Sequence, residues 1–166
     1  MDIFEKLQNL DKRVFYLLMA LAIAIPTIHP IGLPIDVTEP VQRVYDFVSS
    51  LPDGSVVVIG FDYEPGDEID LNPIAQAIMH QLASKKIKIV AIGSFPAGPT
   101  FADECMAILE EYGYEYGVDY VNLGYYAGGE PTLAAFAQNP AAVFPKDWRG
   151  NSITSLPIMQ EVSTMK

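Results

Sequence analysis

Hydrophobic positions near the start of the chain follow no period. From Val14 to Ile35 no residue carries a formal charge at pH 7, and Val14 to Ile25 is apolar apart from the Tyr16 hydroxyl. A helix that is apolar all round is either buried or in a membrane. A spanning helix needs about 20 such residues. This run reaches that length only by continuing past Pro26 and Pro30, where a membrane helix would kink. Three readings stand: a single membrane anchor, a signal peptide cut near Ala22-Ile23-Ala24, and a buried helix. The anchor is the one carried forward. Lys12 and Arg13 precede the run, and Asp36 and Glu39 follow it. The positive-inside rule then puts the N-terminus in the cytoplasm and the remaining chain on the extracytoplasmic side of a single-pass protein. Residues 2–12 predict a short interfacial helix with Ile3, Phe4, Leu7 and Leu10 on one side. The expected organisation is a segment 1–35 and a domain 36–166.

After Ile35 the pattern alternates between helical and strand spacing. Thr38 is placed to cap a helix carrying Val41, Val44, Tyr45, Val48 and Leu51 on one side, ended by Pro52-Asp53-Gly54. Ser55–Phe61 is a β-branched run, the pattern of a strand covered on both faces. Asp70–Ser84 predicts a second helix with Leu71, Ile74, Ile78, Met79 and Leu82 facing inward. Ile87–Ile92 predicts a second buried strand. Thr100 is placed to cap a third helix, with Asp103 at the capping-box position and Phe101, Cys105, Leu109 and Tyr112 on its apolar side. Tyr120–Leu123 predicts a short third strand. Helices are expected from Glu130 or Pro131 to just before Asn139-Pro140, and from Ser155 to Val162.

Strands that alternate with helices predict an α/β class: a small Rossmann-like three-layer domain with a parallel sheet and right-handed crossovers. The first strand is expected at its centre. Three strands make a small sheet, so the domain is expected to continue beyond its C-terminus or to be completed by a partner. The Tyr120 edge would then be covered by another copy, a partner or further chain, or by residues 140–160 folding back.

Composition narrows the function. With 10 Lys plus Arg against 21 Asp plus Glu, the net charge is −11. The acidic and basic residues of 1–35 cancel, so the whole excess falls on 36–166. Such a domain lacks the basic stripe that nucleic-acid binding needs. The single cysteine, Cys105, excludes an internal disulfide and any Cys-cluster zinc site.

Ligands of open parallel sheets sit outside the carboxyl ends of the strands. Three loops are predicted there: Asp62–Glu68, Gly93–Thr100 and Gly124–Glu130. The candidate ligand residues are Asp62, Glu64, Ser94, Tyr125, Gly128, Gly129 and Glu130. Asp62 and Glu64 are the oxygen donors a Mg²⁺ ion would take, beside the plainer reading of a solvated acidic loop or of Asp62 bonding neighbouring backbone amides. Gly124–Glu130 is rich in backbone amides, yet it is neither G-x-G-x-x-G nor a Walker loop. Glu130 would repel an anion at the following helix, so a plain turn is the stronger reading. His80, His29 and Cys105 have no visible catalytic partner, and Ser94 has no nucleophile elbow around it. Trp148 and Arg149, after Phe144-Pro145-Lys146-Asp147, are placed to anchor a loop or a partner.

Leu33-Pro34-Ile35-Asp36-Val37-Thr38, Leu51–Ser55, Phe61–Pro65, Tyr120–Tyr125 with Gly128-Gly129-Glu130, and Val143–Gly150 resemble an uncharacterised family of membrane-anchored prokaryotic proteins. The resemblance covers most of the chain. It implies a hydrophobic N-terminal helix, a Rossmann-like domain and often further chain, and it supplies no reaction. The expected function is a membrane-tethered α/β domain that binds a protein partner or assembles as a homo-oligomer. No cofactor is expected and no catalytic constellation is evident. The alternative is a divalent-cation-dependent enzyme or small-ligand sensor.

Overall fold

The computed structural model describes residues 11–29, 32 and 36–162, and the chain divides into two units between Glu39 and Pro40. The first unit holds α1 (Lys12–Ile28), which starts where the Asp11 carboxylate accepts the Arg13 amide at 3.0 Å. Pro26 lies in its last turn, and His29, with φ −122° and ψ 86°, ends it. Its 17 residues rise about 26 Å, less than the roughly 30 Å of a bilayer core. No helix among the described residues is long and apolar enough to cross a membrane. That corrects the expectation of a transmembrane anchor, and with it the single-pass membrane placement. The run Val14–Ile35 has the composition of a span, but its helix stops at His29. The expected interfacial helix over 2–12 lies outside the described residues, apart from its last two positions.

From the boundary onward, α2 (Glu39–Ser50) leads into β1 (Val56–Gly60), α3 (Glu68–Ser84), β2 (Lys88–Gly93) and α4 (Gly98–Met106). A 3-10 segment (Ala107–Tyr112), β3 (Tyr120–Tyr125), α5 (Gly129–Gln138), α6 (Pro140–Val143) and α7 (Pro157–Val162) follow. The class is α/β with a three-stranded parallel sheet. Helix α4 begins two residues before Thr100 with no side-chain cap, and the expected third helix tightens into the 3-10 segment after Met106.

The strand order is β1-β2-β3, so the second strand is central and the first is an edge. The reason lies in the crossovers. Helices α3 and α4 pack together on one face. Two right-handed crossovers on one face advance the sheet in one direction only. Burial agrees, because Ile89 to Gly93 of β2 are buried while Val56 to Ile59 of β1 are only half-buried. On the first face, Met79, Leu82, Phe101, Met106 and Leu109 cover Ile89 and Ala91. After β3 the chain passes to the second face, where Phe136, Phe144, Ile153, Ile158 and Met159 cover Val90, Ile92, Val121 and Leu123. Lys88 fastens that layer to β2 through Glu161 at 2.6 Å.

The β3 edge is covered from within. The Gly117 amide donates to the Tyr120 carbonyl at 2.7 Å, and the Trp148 amide to the Asn122 carbonyl at 2.9 Å. The Ile158 amide then closes on the Gly117 carbonyl at 3.1 Å. Gly117 has φ +82°, and a side chain there would press on Leu156. This is the fold-back of residues 140–160, and it removes the need for a second chain at Tyr120. The edge without a neighbouring strand among the described residues is β1.

Candidate functional site

The three loops at the carboxyl edge do come together, but they do not form one site. At the end of β1 the Asp62 carboxylate accepts the Ser94 amide at 2.6 Å. Beside them the Tyr126 amide donates to the Gly93 carbonyl at 2.9 Å. Burial raises the Tyr126 hydroxyl above its ordinary pKa and the Asp62 charge adds to this, while a hydrogen bond from Ser94 works the other way. The β2–α4 connection reads Gly93-x4-Gly98-Pro99-Thr100, the spacing of a phosphate loop with proline in the lysine position. A side chain at Gly98 would strike the Phe61 carbonyl, so the helix start lies hard against β1. The Asp62 carboxylate occupies the Ser94 amide, and its charge opposes a phosphate at this loop.

Glu64 is exposed, and its carbonyl accepts the Asp67 amide at 3.0 Å in a turn. Among the described residues no group of three or more His, Cys, Asp or Glu side chains is placed to hold a metal ion. Gly128 (φ +109°) and Gly129 (φ +61°) turn the chain into α5, and Thr132 Oγ1 closes on the Ala127 carbonyl at 2.8 Å. A Cβ at Gly128 would strike Thr132 Oγ1, so this loop is filled by its own side chain. Glu130 is exposed in the first turn.

Tyr125 belongs to a different feature. A cleft of about 480 Å³ lies between the end of β3 and the 143–148 segment, lined by Leu123, Gly124, Tyr125, Phe144, Lys146 and Trp148. Tyr125 and Trp148 are 45% and 46% exposed. Gly124 has φ +99°, and the Trp148 ring lies 3.6 Å from where its Cβ would stand. Glycine therefore permits both the turn and the seat of the indole. Among the described residues no hydrogen bond or ion pair engages the Lys146 ammonium.

Buried polar groups hold this cleft rigid. Asp147 accepts from the Tyr116 hydroxyl at 3.0 Å, the Asn151 amide at 2.7 Å and Asn151 Nδ2 at 3.0 Å. The Arg149 guanidinium lies 3.7 Å over the Tyr116 ring. Burial, then the Asp147 charge, pushes the Tyr116 hydroxyl well above its ordinary pKa. Asn122 is fully buried: Nδ2 donates to the Pro99 carbonyl at 2.7 Å and to Asp103 at 3.1 Å, and Oδ1 accepts the Gly124 amide at 3.0 Å. One side chain thus joins the start of α4 to the floor of the cleft. The signal in the sequence was the only tryptophan beside a Lys-Asp pair. Its pairing with Tyr125 was not visible there.

The remaining candidates are structural. Cys105 is buried, and burial raises its thiol pKa. His80 Nδ1 lies 2.8 Å from the Tyr112 hydroxyl on the outer side of α3. No protein-family model, curated protein or solved structure matches the chain.

Proposed function

We propose that residues 40–162 form a Rossmann-like binding module without catalytic chemistry, which takes its ligand in the Tyr125–Trp148 cleft. The observation that carries this reading is the cleft itself: two half-exposed aromatic side chains and one ammonium group around about 480 Å³, with the Asp147 carboxylate in its wall already taken up by the Tyr116 hydroxyl and Asn151. Aromatic faces favour a flat apolar body. The Lys146 ammonium favours an anionic group at one end of that body. The ligand class is therefore a small planar aromatic anion. A cation-dependent enzyme would draw on Asp62, whose carboxylate already holds the Ser94 amide.

Trp148 is the sole tryptophan, so its fluorescence reports the cleft directly. Titration with aromatic carboxylates from benzoate to naphthoate should give a saturable change that tightens with ring area. Lys146→Met should weaken it about tenfold, the scale of one charge-assisted bond. Tyr125→Ala should abolish it. A flat titration across the series would overturn the reading.

A further inference from the structure

We infer that two copies of the chain pair through the β1 flank, β1 against β1 in antiparallel register about Val58, with the two α2 helices packed side by side on one face. This does not depend on the ligand cleft, which lies at β3. The first observation is the open edge. Ser55 O accepts the Lys88 amide and the Phe61 amide donates to Ile92 O, so residues 55, 57, 59 and 61 turn their backbone groups toward β2. Val56, Val58 and Gly60 therefore point outward, each with one N–H and one C=O, and have no backbone partner among the described residues. Natural edges are protected by lysine, proline or a bulge. This one is Val-Val-Val-Ile-Gly in a regular register.

The second observation is α2. Val41, Val44, Val48 and Leu51 lie along one side of it, yet only Val48 is buried in full. Val41, Val44 and Phe47 are 58%, 48% and 64% exposed. The helix is held by polar bonds to α3: Gln81 Nε2 donates to the Tyr45 carbonyl at 2.9 Å, and Lys85 Nζ to the Ser49 and Leu51 carbonyls. Within residues 40–162 its apolar stripe is covered in full only at Val48.

A second copy answers both observations at once. A strand from another protein would complete β1 and leave the α2 stripe uncovered. A two-fold axis through Val58, perpendicular to the sheet, sets Val56 of one copy opposite Gly60 of the other. All three outward residues then gain antiparallel pairs. Because Val48 packs in the α3/α4 layer, the same axis keeps both α2 helices on one face of the joined sheet. The five residues of β1 span about 17 Å and the twelve of α2 about 18 Å, two layers deep. That footprint is at or below the roughly 1,200 Å² of the smallest stable interfaces, which sets a weak, concentration-dependent dimer. Its dissociation constant should be on the order of micromolar to tens of micromolar.

The test is sedimentation equilibrium on the full chain, across that concentration range, with hydrogen exchange read at Val56, Val58 and Gly60. Wild type should pass from monomer to dimer, and those amides should gain protection over the same range. Val58→Pro removes an outward N–H and leaves the β2 ladder intact. Val44→Asp charges the stripe at an exposed position. Each should lower dimerisation tenfold or more with an unchanged circular dichroism spectrum. A wild type that stays monomeric throughout overturns the inference. So does a dimer that survives both substitutions, since another surface would then be responsible.

Discussion

The Asp62 carboxylate and the Ser94 amide, 2.6 Å apart, join the end of the edge strand β1 to the loop after the central strand. Gly60 is part of the same fit, because a Cβ there would lie 2.6 Å from Asp62 Oδ2. Asp62, for which the sequence offered a metal ligand beside a solvated carboxylate or one bonded to backbone amides, thus acts as a bracket between two neighbouring loops. A charge-assisted bond at an exposed site contributes about 1 kcal/mol. Asp62→Ala should lower the urea midpoint by that equivalent, and Asp62→Asn, which keeps an acceptor, by less. Equal losses in the two variants would argue that charge, not the bond to Ser94, is what matters.

Alkaline pH should unfold the domain ahead of ordinary tyrosine-poor proteins. Burial, helped by the Asp119 charge, raises the Tyr114 hydroxyl from 10.0 to about 12, and the hydroxyl donates to the Ile87 carbonyl at 2.9 Å. The folded state therefore holds this proton more tightly than the unfolded state. Stability is fully present below pH 10 and falls between about pH 10 and 12, where the unfolded chain has released the proton and the folded chain has not. Tyr63, Tyr116, Tyr120 and Tyr126 are shifted in the same direction and steepen the fall. Unfolding followed against pH should show a shallower slope in Tyr114→Phe. An unchanged slope would remove Tyr114 from the account.

The elements were legible in the sequence because their apolar residues follow helical or strand spacing. The order of the strands was not. Ser55–Phe61 and Ile87–Ile92 are equally β-branched, and a period of spacing says nothing about which run has two neighbours. That was decided by α3 and α4 lying on the same face, a three-dimensional fact. The uncharged composition of Val14–Ile35 runs on past the point where the helix ends, at His29, so composition alone overstates the length of the helix. At the site, Asp62 and Ser94 met because both leave the carboxyl edge of neighbouring strands, which topology alone predicts. Tyr125 and Trp148 met because the Trp148 amide adds to the β3 edge, and no local pattern around Trp148 encodes that bond.

The two edges of the sheet should exchange hydrogen very differently in a solution dilute enough to hold monomers. On the β3 side the amides of Gly117, Trp148 and Ile158 are bonded within the chain at 2.7, 2.9 and 3.1 Å. They should be protected, to the extent set by opening of the 145–158 segment. On the β1 side Val56, Val58 and Gly60 should exchange within the dead time. Rapid exchange at Trp148 would show that the β3 edge is open after all, and would restore the need for an external strand there.

Asp147 should be the residue on which the cleft most depends. It is buried and accepts three hydrogen bonds, one from the Tyr116 hydroxyl and two from Asn151. Removing the acceptor leaves the half-buried Tyr116 hydroxyl without its partner at a cost of about 1–3 kcal/mol, while the two donors of the exposed Asn151 can turn to water. Asp147→Ala should therefore destabilise the domain by about 1–3 kcal/mol. Asp147→Asn keeps one acceptor and should recover part of it. The same change frees the 147–151 turn, so the Trp148 indole should leave its seat on Gly124. Its emission should move to longer wavelength while the far-ultraviolet circular dichroism stays native. A stability loss with unshifted emission would mean that the Trp148 amide bond to Asn122, at 2.9 Å, holds the cleft without help from Asp147.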